Sequence, residues 1–164
     1  MGVDILMIFV TLGTQDKEFK RLLLEIERLI YIGVIKDDVV AQIGNTKFES
    51  NKMKIIKFTY QDEMEELIKS ADIIITHGGV GTIIEGINLG KKIIAVPRLK
   101  KYKEHVNDHQ LQIIQNFNDN GYIIGVNSVD EIEIALEKIK DFIPKKYKSN
   151  KQNFLDKLEN SIIM

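Results

Sequence analysis

Short apolar runs alternate with longer amphipathic segments along this 164-residue sequence. The runs are rich in Ile and Val and are continuously apolar, as expected of strands buried on both faces of a parallel sheet. They are Ile5–Val10, Val39–Ile43, Ile55–Phe58, Ile73–Ile75, Ile93–Val96 and Tyr122–Val126. The pattern therefore predicts six β-strands in one sheet.

Apolar residues at helical spacing predict a helix in most of the segments between these strands. The predicted helices centre on Leu22–Ile30, Met64–Ile68, Ile83–Ile87, Leu111–Phe117 and Ile132–Ile139, with a last amphipathic helix at about 149–162. Ser128, followed by Glu131, has the spacing of a capping box before the fifth helix. Gly44–Lys54 lacks helical spacing, so we expect a loop there.

Strands that alternate with helices at this spacing imply right-handed βαβ units. We therefore expect an α/β fold, with residues 1–164 forming a single Rossmann-like domain around a doubly wound parallel sheet. In the strand order 3-2-1-4-5-6, ligands bind where the carboxyl ends of the first and fourth strands meet. The turns after these two strands are thus the candidate binding site.

Both turns contain glycine and precede a predicted helix. Thr11–Gln15 follows the first strand, and the stretch Thr76–Gly86 after the fourth strand has three glycines in four positions, Gly78, Gly79 and Gly81. Glycines let the backbone approach a ligand closely, and a helix that starts near Val80 would direct unpaired N–H groups and a positive dipole end at an anion. Either turn alone is equally consistent with a structural role, but together they predict a phosphate or diphosphate site.

Glu85 follows these glycines within the same helix. A carboxylate one turn from the phosphate end is well placed to accept hydrogen bonds from two ribose hydroxyls, although a solvated helical glutamate is the simpler alternative. The motifs differ from the dinucleotide fingerprint, which places G-x-G-x-x-G after the first strand, and no P-loop motif is present.

The composition of the chain argues against several kinds of ligand and against a membrane-spanning segment. Lys+Arg is 23 and Asp+Glu is 24, which gives a net charge of -1 and argues against a dedicated nucleic-acid binder. The lack of cysteine excludes disulfides, cysteine-ligated zinc and iron–sulfur clusters. The longest apolar run is far shorter than the ~20 residues that span a bilayer, so we expect a cytoplasmic protein.

The positions of histidine and lysine raise the questions of a metal site and of anion-binding surfaces. His105 and His109 are four residues apart and are predicted to share one helix face, but no third ligand is evident, so we expect no metal site. The basic stretch Arg98–Lys103 follows the fifth strand and either attracts a phosphorylated ligand or forms a solvated loop. A second basic run, Lys145–Lys151, is either an exposed face or a contact with an anionic membrane.

Several of these segments together resemble the donor-binding, C-terminal half of GT-B glycosyltransferases of the family 28 type. They are Phe9–Thr14, Ala71–Thr82, Glu85, Pro97 and His109–Gln110. More narrowly, they resemble the small subunits of the two-part dolichyl-diphosphate N-acetylglucosamine transferase and its bacterial counterparts in exopolysaccharide and capsule synthesis. The resemblance covers most of the chain and implies one half of a GT-B fold.

The resemblance also implies roles for individual residues. The donor diphosphate would be bound by Gly13, Thr14, His77, Gly78, Gly79, Gly81 and Thr82. Glu85 would bind the ribose, His109 and Gln110 the donor sugar, and Phe58 or Tyr60 would lie near the uracil. His77 is also a weak candidate for the catalytic base, which the partner is equally able to supply.

The family implies an inverting, metal-independent hexosyltransferase without a cofactor. Its donor would be UDP-Gal or UDP-GlcNAc, and its acceptor a lipid-diphosphate-linked sugar. A separate membrane-associated subunit would bind that acceptor and hold this chain at the inner face of the membrane. Two alternatives remain: an accessory subunit that enhances a partner glycosyltransferase without supplying the donor site, and an unrelated nucleotide-dependent enzyme such as an epimerase or a dehydrogenase.

Overall fold

The computed structural model describes residues 6–146, which form one six-stranded sheet flanked by α-helices. The strands are β1 (Met7–Thr11), β2 (Asp38–Gln42), β3 (Lys54–Ile56), β4 (Ile73–Thr76), β5 (Lys92–Ala95) and β6 (Ile124–Gly125). The helices are α1 (Lys20–Tyr31), α2 (Gln61–Ser70), α3 (Val80–Asn88), α4 (His109–Asp119) and α5 (Ile132–Ile139). None of these helices, within the described range, is long and apolar enough to cross a membrane. The predicted helix at 149–162 and most of the second basic run lie outside the described residues.

The sheet is entirely parallel, and its strand order is β3-β2-β1-β4-β5-β6. The predicted doubly wound fold and its strand order are therefore confirmed. The chain runs outward from β1 to β3 and then returns to the other side of β1 to form β4. Thr11 and Thr76, the last residues of β1 and β4, are register partners, so the two candidate turns leave the sheet side by side.

Each face of the sheet carries its own hydrophobic core. Ile8 and Val10 of β1 face α1 and α5, whereas Phe9 faces α2, α3 and α4. Neighbouring residues of a strand point to opposite faces. Because both faces are covered, the middle of each inner strand is apolar on both sides, which explains the continuous apolar runs in the sequence.

The predicted cap and loop are also confirmed. Ser128 and Glu131 form a capping box, which caps a short 3-10 turn, Val129–Glu131, immediately before α5. Residues 44–53 contain no helix. The outer strands are shorter than their apolar runs: β3 spans Lys54–Ile56, and β6 pairs with β5 through two residue pairs.

The prediction that His105 and His109 share a helix face is wrong. α4 begins at His109, whose backbone N–H donates to the Asn107 side chain, and His105 lies in the preceding loop. Side chains in this loop bind backbone N–H groups at its start: the Glu104 carboxylate accepts from Leu99 N, at 3.1 Å. These local bonds fold the loop back on itself and delay the start of the helix.

Candidate functional site

A buried amide at the end of β2 fixes the turn after β1. Gly13 has φ +77°, a left-handed conformation that favours glycine. Gln42 accepts from the Thr11 hydroxyl at 2.6 Å, and its Nε2 donates to the carbonyls of Gly13 at 3.1 Å and Lys57 at 2.9 Å. One side chain thus ties together the ends of β1, β2 and β3. Sequence reasoning missed this role of Gln42, although an amide ending an apolar strand was a signal.

The imidazole of His77 fills the space between two glycines. A Cβ atom on Gly13 would lie 2.5 Å from His77 Nε2, and one on Gly79 would lie 2.6 Å from the same atom. Such distances are too short for any real side chain, so both positions require glycine while the ring stays in place. The turn after β1 and the glycine-rich turn after β4 therefore meet at this ring, as the topology predicts.

Gln110, at the start of α4, connects this ring to two backbone segments. Its Oε1 accepts from Gly78 N and from Arg98 N, each at 2.9 Å, and its Nε2 lies 3.1 Å from His77 Nδ1. The side chain is only 3% exposed. Contact between Gln110 and a donor sugar stays a prediction, and in this structure its amide is already engaged by protein groups.

Burial keeps His77 neutral. The loss of solvation lowers its pKa to about 3, and the positive charges of Arg98 and His105 act in the same direction. A group with so low a pKa is a poor general base near neutral pH. The catalytic role of His77 stays a prediction.

The amino terminus of α3 presents backbone donors beside this ring. The first bond of the helix runs from Ile83 N to Gly79 O, at 3.2 Å, and no side chain caps the helix at Gly79. The N–H groups of Val80, Gly81 and Thr82 therefore precede the first helical hydrogen bond. They lie where a helix dipole favours an anion, which is the geometry expected of a phosphate site.

Glu85 lies one turn further along α3 and is half-buried. Its pKa is raised, chiefly by burial and then by the negative charge of Glu65, while Lys69 acts in the opposite direction. Among residues 6–146, no hydrogen bond or ion pair to the Glu85 carboxylate is recorded. The side chain is thus available to a ligand at the start of α3.

The other predicted contacts are spread along the carboxyl edge of the sheet. Thr14 is exposed after Gly13, and His109 is half-buried at the first position of α4. Phe58 and Tyr60, which are 54% and 77% exposed, lie between β3 and α2. Since β2 separates β3 from β1, these two rings stand at the far side of the site, and their proximity to a uracil stays a prediction.

A cleft opens beside the turn after β1. It has a volume of about 760 Å³ and is lined by residues 44–49, Lys57 and Phe58. A second cleft of about 560 Å³ opens at the opposite edge of the sheet, between Leu6, Lys92 and Ile139 among others, and contains none of the candidate residues. Within the described range, no three His, Cys, Asp or Glu side chains are grouped so as to hold a metal ion.

Arg98 is not part of a solvated basic loop, so that alternative fails for this residue. It is 1% exposed, and its guanidinium donates to the carbonyls of Lys17, Glu104 and Leu12. Burial lowers its pKa to about 10, so the group remains charged at neutral pH. The exposed cations of the stretch are Lys100, Lys101 and Lys103. Arg98 therefore acts as a buried tie between the segments after β5 and β1 rather than as a surface cation.

Comparisons with curated proteins find N-acetylglucosamine transferases and their subunits. The chain is 26% identical over 131 residues to the UDP-N-acetylglucosamine transferase subunit ALG13 of Candida glabrata, covering 77% of this chain and 62% of that protein. It is 33% identical over 90 residues to the subunit of the same name from Candida albicans, covering 55% of this chain and 29% of that protein. This chain therefore spans less than two thirds of the length of either relative.

Solved structures agree on the fold. The NMR solution structure of ALG13 matches with a TM-score of 0.57 at 19% identity, and the match covers 98% of both chains. The Methanocaldococcus jannaschii UDP-GlcNAc 2-epimerase, solved with UDP-GlcNAc and UDP, matches with a TM-score of 0.61 at 20% identity, over 89% of this chain and 41% of that one. Residues 7–162 also match the model of the glycosyltransferase family 28 C-terminal domain. Because that match spans nearly the whole sequence, the chain belongs to the family of glycosyltransferase family 28 C-terminal domains.

Proposed function

We propose that this chain binds the UDP part of a nucleotide-sugar donor and forms the donor-binding part of an inverting glycosyltransferase. Family membership supports the class of reaction. The proposal goes further, because it assigns the donor site to the carboxyl edge between β1 and β4.

Gly81 is the observation that carries the proposal. A Cβ atom at this position would meet no atom within 4 Å, and its φ is not positive, so neither packing nor backbone conformation requires glycine. Glycine inside a helix is less stable than alanine by about 0.5–1 kcal/mol. A ligand that approaches the helix amino terminus closely explains why this position has no side chain.

The groups around Gly81 suit a nucleoside diphosphate. Backbone N–H groups at the start of α3 would donate to the diphosphate, and the neutral His77 beside them adds a further ring nitrogen. The Glu85 carboxylate would accept hydrogen bonds from the ribose hydroxyls one turn away. Fixed dipoles of this kind stabilise the negative charge that develops on a leaving UDP without having to reorganise. In this proposal neither a metal nor a cofactor is needed.

In this proposal a partner subunit provides the acceptor site and the catalytic base. The pKa of His77 argues against this residue as the base that deprotonates an acceptor hydroxyl. We propose that a membrane-associated partner subunit binds a lipid-diphosphate-linked sugar, supplies the base, and holds this chain at the cytoplasmic face of the membrane. The names of the relatives favour UDP-GlcNAc over UDP-Gal as donor. They do not mention exopolysaccharide or capsule synthesis, which stays a prediction.

Calorimetric titration of the purified chain with UDP tests the proposal. We expect binding to the wild-type chain, no binding of NADH, and a loss of about ten- to hundred-fold in UDP affinity in Glu85→Ala, as for a hydrogen bond to a charged group. Glu66→Ala is the matched control, because Glu66 is an exposed glutamate on the neighbouring helix α2. Absence of UDP binding, or equal affinity in Glu85→Ala and the control, would contradict the proposed donor site and favour an accessory role.

A further inference from the structure

We propose that Gln110 is a positioning residue that holds His77 in the tautomer with its proton on Nε2, and so places a hydrogen-bond donor between Gly13 and Gly79. The part of this inference that concerns a ligand rests on the proposed function. The part that concerns the tautomer rests on the geometry of this chain alone.

The orientation of the Gln110 amide is set by two backbone groups. Gly78 N and Arg98 N both lie 2.9 Å from Oε1. A backbone N–H only donates, so the atom that faces both of them must be the acceptor oxygen. The opposite orientation would bring the amide NH₂ against two further donors and leave all of them unsatisfied.

The orientation of the amide then determines the state of the imidazole. With Oε1 fixed, the Nε2 group of Gln110 donates across 3.1 Å to His77 Nδ1. Nδ1 must therefore be the ring nitrogen that carries the lone pair. In a neutral imidazole the proton is then on Nε2. Both side chains are nearly inaccessible, 3% exposed for Gln110 and 5% for His77, so water does not readily replace either partner.

The surroundings oppose a second proton on the ring. The charges that act on His77 come from Arg98, after β5, and from His105, in the loop before α4, and both disfavour an imidazolium. Because Nδ1 already accepts from Gln110, the neutral ring has a single hydrogen-bond donor, Nε2–H. That atom lies close to the Cα atoms of Gly13 and Gly79, both of which are partly exposed.

The assignment gives Gln110 a role different from contact with a sugar. It acts through His77: by occupying Nδ1, it directs the only ring proton to the junction of the two turns, where an anionic oxygen is the natural acceptor. In the other tautomer a lone pair would face the same place and repel the anion. Whether His77 Nε2 donates or accepts a hydrogen bond at the site thus depends on the Gln110 side chain in α4.

Nitrogen-15 NMR of the chain labelled at histidine tests the tautomer directly. In the wild-type chain we expect His77 Nε2 to show the shift of a protonated nitrogen and Nδ1 that of an unprotonated one. In Gln110→Glu, the carboxylate still accepts from Gly78 N and Arg98 N but now presents an acceptor to Nδ1, so we expect Nδ1 to become protonated. Gln112→Glu, an exposed change on the same helix, is the control and should leave the His77 signals unchanged.

UDP titration of the same samples tests the consequence. Gln110→Glu should lose about ten- to hundred-fold in affinity and Gln112→Glu should retain it. A wild-type His77 protonated at Nδ1 would overturn the inference even if Gln110→Glu failed to fold, and so would an Nδ1 that stays unprotonated in a folded Gln110→Glu. If the wild-type spectrum is as expected but UDP does not bind, the proposed function fails while the tautomer assignment stands.

Discussion

At the scale of single residues, the glycines around His77 serve two different purposes. Gly13 and Gly79 leave room for the ring, because a Cβ atom on either would overlap Nε2. Gly81 borders open space instead, so its missing side chain has no explanation within the described chain. Substitution by alanine should therefore separate a structural glycine from one that serves a ligand.

We predict opposite effects of Gly79→Ala and Gly81→Ala on stability. Gly81→Ala should raise the free energy of unfolding by about 0.5–1 kcal/mol, because alanine favours the helix, yet weaken UDP binding. Gly79→Ala should lower it by about 1–3 kcal/mol, because the new methyl group displaces a buried ring. Urea unfolding and UDP titration measure the two effects. Full UDP affinity in Gly81→Ala would contradict a close approach of the ligand at this position.

The neutral state of His77 predicts a loss of stability in acid. Its pKa is about 3 in the folded chain, against a usual value of 6.5, so the unfolded state binds more protons between these values. The free energy of unfolding should therefore fall as the pH falls through 6.5, by about 2 kcal/mol from pH 7 to pH 5 for this one group.

The pH dependence is measured by urea unfolding at pH 7 and pH 5. His77→Gln should reduce the difference between the two conditions by more than His109→Gln, which controls for the removal of one histidine. An unchanged difference in His77→Gln would mean that the ring titrates normally in the folded chain.

At the scale of elements, charged side chains fix the loop between β5 and α4 to α1 and to the segment after β1. The Arg98 guanidinium binds carbonyls of the segment after β1, and Glu104 forms a two-bond ion pair with Arg21 of α1, at 2.8 and 2.9 Å. Arg21 also stacks on the ring of Tyr102, 4.1 Å from its centroid. These contacts join two loops that flank the glycine-rich turn, so they support the site without contacting the place proposed for the ligand.

We predict that Arg98→Met lowers the free energy of unfolding by about 3–5 kcal/mol, since it leaves three carbonyls without their charged donor. Arg28→Met is the control, because Arg28 is an exposed arginine on α1 that pairs with Glu25. It should change stability little. Chemical denaturation measures both variants, and similar losses in the two would contradict a structural role for the buried Arg98.

At the scale of the whole molecule, one sheet carries two separate cores. Ile26 of α1 packs on one face and Ile113 of α4 on the other, without shared contacts. We predict that Ile26→Val and Ile113→Val each lower the free energy of unfolding by about 0.5–1.5 kcal/mol. In the double variant these losses should add, with a single urea transition. Two transitions would show that the faces unfold independently.

The fold was predictable because its signals are local in the sequence. The apolar run Ile73–Ile75 and the glycines that follow it mark β4 and its turn whatever the rest of the chain does. The partners of Gln42, Arg98 and Gln110 were not predictable, because each binds backbone groups that are distant in sequence. A lysine-rich stretch gives no sign that its arginine is buried, and the helical spacing of His105 and His109 does not reveal the loop bonds that start α4 later.

The long-range hydrogen bonds of the site also determine when the site can form during synthesis of the chain. Leu12 and Arg98, which are joined by a hydrogen bond, lie 86 residues apart. Gly78 N donates to Gln110, which follows it by 32 residues. During translation the glycine-rich turn therefore emerges well before the side chains that fix it, and a fragment that ends before Gln110 lacks one of them. Contacts of such separation form slowly, so a nascent chain that stops before α4 carries the motif but not its geometry.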